Sequence, residues 1–224
     1  MTRETFEREL KKLQDEVLVL ASMVDSAIER SIEALRNRDL GEAERIIAND
    51  ANINRKRFDI EERSLLLIAT QQPMASDLRF IAAVLSIITD LERMADYAEG
   101  IAKITIMLGD EPPIKPLVDI PRMTDITRSM FSRAMDAFVN RDPEAAKKVA
   151  LEDDLVDNLY NQVYHELLMF MIQDPRTISR ATHLTWVAHK LERIADRVTN
   201  ICERVVFTAT GVMEETDAWA KAQK

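Results

Sequence analysis

Apolar residues recur along the chain with the spacing of an α-helix. In the N-terminal segment they stand three or four residues apart on one face: Phe6, Leu10, Leu13, Val17, Leu20, Val24 and Ile28. This spacing is typical of helices that pack in bundles. Residues that end helices concentrate at a few places, namely Gly41, Pro73, the stretch 109–121, Pro143, Pro175 and Gly211. The pattern between them predicts six long helices, at roughly 5–37, 40–71, 75–108, 122–140, 143–173 and 177–209.

The two halves of the chain repeat each other. The tripeptide Asn-Arg-Asp occurs at 37–39 and again at 140–142, and DLERMAD at 90–96 matches KLERIAD at 190–196. We therefore predict an all-α protein of two tandem antiparallel three-helix bundles with an internal pseudo-repeat. Its predicted parts are a first bundle at 1–108, a proline-rich linker at 109–121, a second bundle at 122–211 and a C-terminal tail at 212–224.

Each Asn-Arg-Asp tripeptide ends on a residue suited to begin a helix. Asp39 is followed three positions later by Glu42, the pattern of a capping box. Asp142 is followed by Pro143, the pattern of an N-cap with proline at the first helical position. Both halves thus start their second helix by the same device.

Composition excludes several classes of function. With 30 Lys and Arg against 39 Asp and Glu, the net charge of −9 gives no attraction to nucleic acid or anionic lipid, whereas cations fit. Four glycines are too few for a phosphate-cradling loop or a dinucleotide fingerprint. The single Cys202 leaves no internal disulfide and fits a cytoplasmic protein. The longest uncharged run, 64–76, is shorter than the ~18 residues of a membrane span, so direct membrane insertion is not expected.

An acidic pair stands in the third predicted helix. Glu92 and Asp96 are four residues apart and therefore share one helical face. If the second and third helices fold back about Pro73, the register places Asp50 opposite Asp96 and Asn54 opposite Glu92. Four oxygen-bearing side chains are then expected at one level of the first bundle.

The second half repeats this arrangement. Glu192 and Asp196 form the pair, and a hairpin turning at 174–175 places Asp157 opposite Glu192 and Asp153 opposite Asp196. Converging carboxylates repel each other in a low dielectric, and a bound cation removes that cost. The predicted metal ligands are Asp50, Glu92, Asp96, Asp153, Asp157, Glu192 and Asp196.

Oxygen ligands without sulfur suit Mg²⁺ or Mn²⁺, and zinc or iron are further candidates. The alternative is a network of ion pairs that neutralises the acids without metal, formed by Arg57, Arg93, Arg193 or Arg197. His189 shares the face of Glu192 and either adds a nitrogen ligand in the second half or is a bystander. His165 and His183 have no visible nucleophile partner, and Cys202 continues an apolar face, so no catalytic residue and no enzymatic activity are expected.

These features together resemble a known family. The motifs that carry the resemblance are the doubled LERxxD at 91–96 and 191–196, the turn Gln72-Pro73 with Ala75 and Asp-Leu-Arg at 77–79, and the two Asn-Arg-Asp helix starts. The chain resembles the PhoU family over about residues 5–210. The resemblance implies a cytoplasmic accessory protein of the high-affinity phosphate transport system that restrains the phosphate-starvation response. It also implies a homodimer, contacts with the phosphate ABC transporter ATPase subunit and a membrane sensor histidine kinase, and metal clusters, including iron, at the E/DxxxD motifs.

The chain departs from that family at several positions. Asn54 stands where an acid is common, Met94-Ala95 replaces Ile-Gly, and Arg197 replaces a frequent His. Loss of a charge at Asn54 is expected to weaken the first site relative to the second.

Two other functions remain open from the sequence. One is an accessory role for a low-affinity phosphate permease, within the same adaptor class. The other is a carboxylate-bridged metal enzyme or storage protein of the ferritin-like kind, although such sites are usually built with Glu-x-x-His pairs, which this chain lacks. Trp219 stands in the polar tail, for which docking and mobility are equally open.

Overall fold

A computed structural model of the chain describes residues 3–216 and 218–219; residues 1–2 of the predicted first bundle and 217 and 220–224 of the predicted tail lie outside the described residues. The helices are α1 (Arg3–Asn37), α2 (Leu40–Gln71), α3 (Ala75–Leu108), α4 (Asp119–Asn140), α5 (Pro143–Ala150), α6 (Asp153–Gln173), a 3₁₀ turn (Pro175–Thr177) and α7 (Ile178–Thr210).

The helices form two three-helix bundles joined side by side. In the first bundle α1, α2 and α3 pack on each other, and in the second α7 packs on α4, α5 and α6. The most extensive contact in the molecule lies between the bundles, where α3 meets α7, and α1 also touches α4. The all-α, two-bundle fold is confirmed. The domain boundaries stay a prediction, and one continuous hydrophobic core runs through both bundles.

The two helices that meet at the seam between the bundles, α3 and α7, bury equivalent residues of the two halves. Leu91 and Ala95 of α3 and their counterparts Leu191 and Ala195 of α7 are all buried. Small side chains on both helices let the two backbones approach closely, and such packing at interior density favours one fixed arrangement. The acidic pairs stand next to this seam, so the seam sets how the two sites face each other.

The fifth predicted helix is present but interrupted. The chain leaves α5 after Ala150 and begins α6 at Asp153, and Glu152 N–H donates to the Val149 carbonyl at 3.1 Å rather than continuing the α pattern. Arg133 of α4 holds the Glu152 carboxylate, with Nη1 donating to Oε1 at 2.6 Å. The interruption makes Asp153, one of the predicted ligands, the first residue of a new helix.

Both predicted helix starts carry their N-caps. Asp39 accepts from Glu42 N–H at 2.9 Å, and Asp142 accepts from the N–H groups of Glu144 and Ala145, both at 3.0 Å. The other hydrogen bond of the expected capping box, from the Asp39 N–H to the Glu42 side chain, is wrong, because the Glu42 carboxylate pairs with Arg30 at 2.5 Å. Its expected partner, the Asp39 N–H, already donates to a carbonyl of the preceding helix.

The segment between the bundles is fixed to both. Arg38 of the first half donates to the carbonyl of Asp110 at 3.1 Å, and Arg180 of the second donates to the carbonyl of Pro112 at 2.8 Å. Lys115 is buried between Asp119, at 3.2 Å, and Glu166. The linker is therefore held in place, and α4 begins at Asp119, three residues earlier than expected.

The described part of the tail folds back onto the second bundle. Trp219 is 7% exposed, its indole N–H donates to Glu214 at 2.8 Å, and the Lys147 ammonium lies 5.8 Å from its ring centre. Thr216 donates to Glu203 of α7 through both N–H, at 2.9 Å, and hydroxyl, at 3.2 Å. Within the described ranges, no helix is long and apolar enough to cross a membrane.

Candidate functional site

The second acidic cluster lies between α6 and α7. Asp153 and Asp157 of α6 stand across from Glu192 and Asp196 of α7, and all four interact electrostatically, as the hairpin register predicts. The negative charge of Asp154 also acts on Asp153. The cluster exists because the tight turn after Gln173 forces the two helices into antiparallel contact.

The environment of this cluster opposes ionisation. Burial raises the pKa of Asp153 to about 7, and the negative charges of Asp157, Asp196 and Glu192 add to the rise. A helix N-terminus favours a carboxylate, so burial and repulsion outweigh the position of Asp153 at the start of α6. Burial first and Asp196 second also raise the pKa of Asp157 and of Glu192.

Two oxygens of the cluster, Asp153 Oδ1 and Glu192 Oε2, are buried without a hydrogen-bond partner. Asp153 also lines a groove of about 470 Å³ whose lining includes acidic side chains beyond the predicted set: Asp154, Glu203 and Glu215. A buried acceptor without a donor costs free energy that a cation or an ordered water would recover.

Arg193 partly neutralises the second cluster. Arg193 pairs with Asp196 at 2.7 Å, so the ion-pair alternative is realised at that residue. His189 Nδ1 lies 3.2 Å from Glu192 Oε2 without making a hydrogen bond to it. Arg197 turns away and contacts Asp90 of α3 at 3.4 Å. Among the described residues, Asp153, Asp157 and Glu192 therefore have no ion pair with an arginine or a lysine.

The first acidic cluster lies between α2 and α3. Asp50 interacts with Asp96, as the register predicts, and more strongly with Glu99, which sequence reasoning missed. Asn54 donates to Asp50 Oδ2 at 2.7 Å, while Asp50 Oδ1 is buried without a partner. Burial, then Glu99 and Asp96, raise the pKa of Asp50.

Glu92 stands at the edge of this first cluster. Burial is the main cause that raises its pKa, with Asp96 and Asp50 adding repulsion. Arg93 approaches it at 3.9 Å, and Arg57 pairs with Glu61 at 3.0 Å, although the charges of both arginines act to lower the pKa of Glu92. The arginines proposed as alternatives to metal thus leave most of the first cluster unpaired.

The donor chemistry of both clusters fits a hard cation. Carboxylate and amide oxygens are the ligands of Mg²⁺ and Mn²⁺, and the unpartnered oxygens of Asp50 and Asp153 point to a missing positive partner. In the part of the chain that the structure describes, no three Asp, Glu, His or Cys side chains already have a metal-binding arrangement. Binding would therefore draw the carboxylates closer together than they stand.

Sequence signals exist for some of the missed residues. Glu99 stands seven positions after Glu92 and thus continues the same helical face, and Glu203 has that relation to Asp196. Glu215 reaches the second groove through tail docking, for which the sequence carries no periodic signal. Cys202 is fully buried, and burial raises the pKa of its thiol to about 12, which fits the predicted core role.

Comparison with known proteins places both halves in one family. The PhoU domain model matches residues 17–105 and 120–205. The phosphate-specific transport system accessory protein PhoU homolog of Aquifex aeolicus (strain VF5) is 42% identical over 186 residues, covering 83% of this chain and 84% of that protein. The homolog of the same name from Clostridium acetobutylicum is 39% identical over 212 residues, 94% of this chain and 97% of that protein.

Solved structures agree. The crystal structure of PhoU from Pseudomonas aeruginosa superposes with a TM-score of 0.88 at 33% identity, covering 92% of this chain and 100% of that chain. The phosphate transport system regulatory protein PhoU from Streptococcus pneumoniae gives a TM-score of 0.87 at 31% identity, covering 94% and 99%. Since the family model matches both halves and the relatives align over most of their length, the chain belongs to the PhoU family.

Proposed function

We propose that this chain is a cytoplasmic accessory protein of a phosphate-specific transport system that restrains phosphate-starvation signalling when phosphate is plentiful. The observation that carries the proposal is the 39% identity, over 94% of the chain, to a homolog named as a phosphate-specific transport system accessory protein. The fold supports it, because long packed helices offer extended surfaces for protein contacts. The expected action is regulatory rather than enzymatic.

The proposed partners are the ATPase subunit of the phosphate ABC transporter and a membrane sensor histidine kinase, with a homodimer as the assembly. Exposed apolar side chains at the hairpin ends of both bundles support a role in protein contacts: Leu65 and Leu66 in α2, and Leu168, Met169 and Ile172 in α6. Apolar side chains of this size gathered on a surface are typical of protein-binding sites.

We further propose that the acidic clusters bind metal ions. In the second site Asp153, Asp157, Glu192 and Asp196 would hold the ion, and in the first Asp50, Glu92 and Asp96 with Glu99. The ion supplies positive charge, which removes the repulsion among these carboxylates. The chain's own residues set the level and spacing of the ligands through the two hairpins.

The regulatory role is tested by deleting the gene in the source organism and measuring alkaline phosphatase activity in abundant phosphate. We expect high activity in the deletion strain and low activity after complementation with the wild-type gene. Unchanged low activity in the deletion strain would contradict the starvation-response role. A defect confined to phosphate uptake through a low-affinity permease would favour the permease accessory role instead.

Metal binding is tested by elemental analysis of protein purified without chelators. We expect bound metal in the wild type and depletion in the double variant Asp153→Ala with Asp196→Ala. Asp125→Ala, at an exposed position on α4, is the matched control. Metal-free wild type with an intact circular dichroism spectrum would refute the metal sites while leaving the regulatory role standing. Catalytic turnover of a substrate by the metal-loaded protein would favour the enzyme alternative. Uptake and release of metal would favour the storage alternative.

A further inference from the structure

Lys190 reaches from α7 of the second bundle to α3 of the first. A Cβ atom placed on Gly100 would lie 2.4 Å from the Lys190 ammonium nitrogen, so that nitrogen rests against the bare backbone of α3. The same nitrogen lies 5.8 Å from the centre of the Tyr97 ring. Gly100 is buried in the middle of a helix, and here glycine allows a close approach rather than a turn.

The ammonium lies at the first acidic cluster. It is within electrostatic range of Asp96 and Glu99, which are the acids that face Asp50 across the α2–α3 hairpin. Lys103, paired with Glu99 at 2.6 Å, is the other lysine nearby; burial first and the repulsion of Lys103 second lower the pKa of Lys190, while Glu99 and Asp96 act to raise it. A positive charge from the second bundle therefore occupies the surroundings of the first bundle's carboxylates.

The two halves of the pseudo-repeat differ in the charge of the side chain that reaches across to the other bundle. The counterpart of Lys190 in the first half is Asp90, which reaches the other way, to Arg197 at 3.4 Å and Asn200 at 3.2 Å of α7. At the position equivalent to Lys190, the first bundle therefore presents a carboxylate rather than an ammonium to α7. The two crossings have the same geometry and opposite charge.

We propose that Lys190 is a tethered counter-ion of the first acidic cluster, which competes there with divalent cations and makes the first site weaker than the second. This inference rests on the proposed metal binding and deepens it. A cation entering the first site must displace or repel an ammonium that belongs to the other bundle. Occupancy of the first site is thereby linked to the α3–α7 seam.

The test measures Mn²⁺ affinity at the first site, in protein whose second site is disabled by Asp153→Asn with Asp196→Asn. Free Mn²⁺ is followed by electron paramagnetic resonance. Lys190→Met keeps the apolar stem and removes the charge, and we expect Mn²⁺ to bind roughly tenfold more tightly. Gly100→Ala keeps the charge but pushes the ammonium off α3, and we expect a smaller gain in the same direction.

The Gly100→Ala variant also protects the test against misfolding, because alanine favours a helix interior. Lys12→Met, on the exposed part of α1, is the control and should leave Mn²⁺ affinity unchanged. Unchanged affinity in both Lys190→Met and Gly100→Ala would overturn the counter-ion role. If intact protein binds Mn²⁺ while these variants show no gain, this inference alone fails; if no variant and no intact protein binds Mn²⁺, the proposed metal binding fails with it.

Discussion

Replacing Asp153 by asparagine should stabilise the metal-free protein at neutral and alkaline pH. The Asp153 carboxyl is buried among Asp157, Glu192 and Asp196, of which Asp196 alone has an arginine, Arg193, in contact. Asparagine has nearly the same shape and no charge. The substitution therefore removes the repulsion and the cost of burying an ion, and it changes the packing little.

The magnitude follows from the pKa. A folded-state pKa of about 7 against an ordinary 3.8 corresponds to about 4 kcal/mol, at 1.36 kcal/mol per pH unit. The groove is open to water, and solvent screening reduces this to about 2 kcal/mol. Asparagine also loses the favourable interaction of a carboxylate with the start of α6, about 0.5 kcal/mol. The expected net gain is about 1.5 kcal/mol, or about 3–6 °C in Tm.

The gain must depend on pH in one direction. Because the pKa of Asp153 is higher in the folded chain, the folded state holds the proton over the range from about 3.8 to 7, and wild-type stability falls as pH rises through that range. At the lower end of that range and below it the folded carboxyl is neutral and the unfolded one largely so, so Asp153→Asn gains little there. At pH 8 the full difference should appear.

The assay is thermal unfolding followed by circular dichroism at pH 4 and pH 8 in the presence of a chelator. Asp125→Asn, at an exposed site, controls for a general effect of lost negative charge on this acidic chain. An equal change of Tm at both pH values, or a loss of stability at pH 8, would refute the reasoning. Added Mn²⁺ should raise the Tm of the wild type more than that of the variant, because the cation removes the same repulsion.

Two further predictions address the seam and the tail. Phe138→Ala should lower the free energy of unfolding by about 3–5 kcal/mol, because its buried ring stacks on a ring of the other bundle with the ring centres 5.7 Å apart. Phe58→Ala, at a 60% exposed position, is the control and should change stability little. Urea unfolding measures both. With Trp186→Phe as background, Glu203→Ala should shift Trp219 emission to longer wavelength, since it removes the acceptor that holds the tail; unchanged emission would show that the tail docks without it.

Helix number, bundle order and hairpin register were predictable because they depend on local periodicity and on turns marked by proline. The positions of Asp50 against Asp96 and of Asp153 against Asp196 follow from helix geometry alone. The break before Asp153 was not predictable, because Arg133 of another helix holds Glu152 there.

Hydrophobic periodicity does not predict the contacts between segments that are distant in the sequence. Lys190 lies at the first cluster because Gly100 leaves room for it, and either residue alone has no visible meaning in the sequence. Docking of Trp219 depends on Glu214 and Lys147, which single-sequence patterns do not connect.

The reciprocal crossings of the seam have a consequence for how such a chain can arise. Asp90 contacts Arg197 and Asn200, while the equivalent Lys190 contacts Tyr97 and Gly100, which are equivalent to Arg197 and Asn200. In a two-fold symmetric dimer interface contacts are reciprocal in the same way. A single ancestral bundle carrying this face would bury it against an identical copy. Fusion of two such copies would preserve the interface and free its halves to diverge, which is compatible with an acid, Asp90, and a base, Lys190, at equivalent positions.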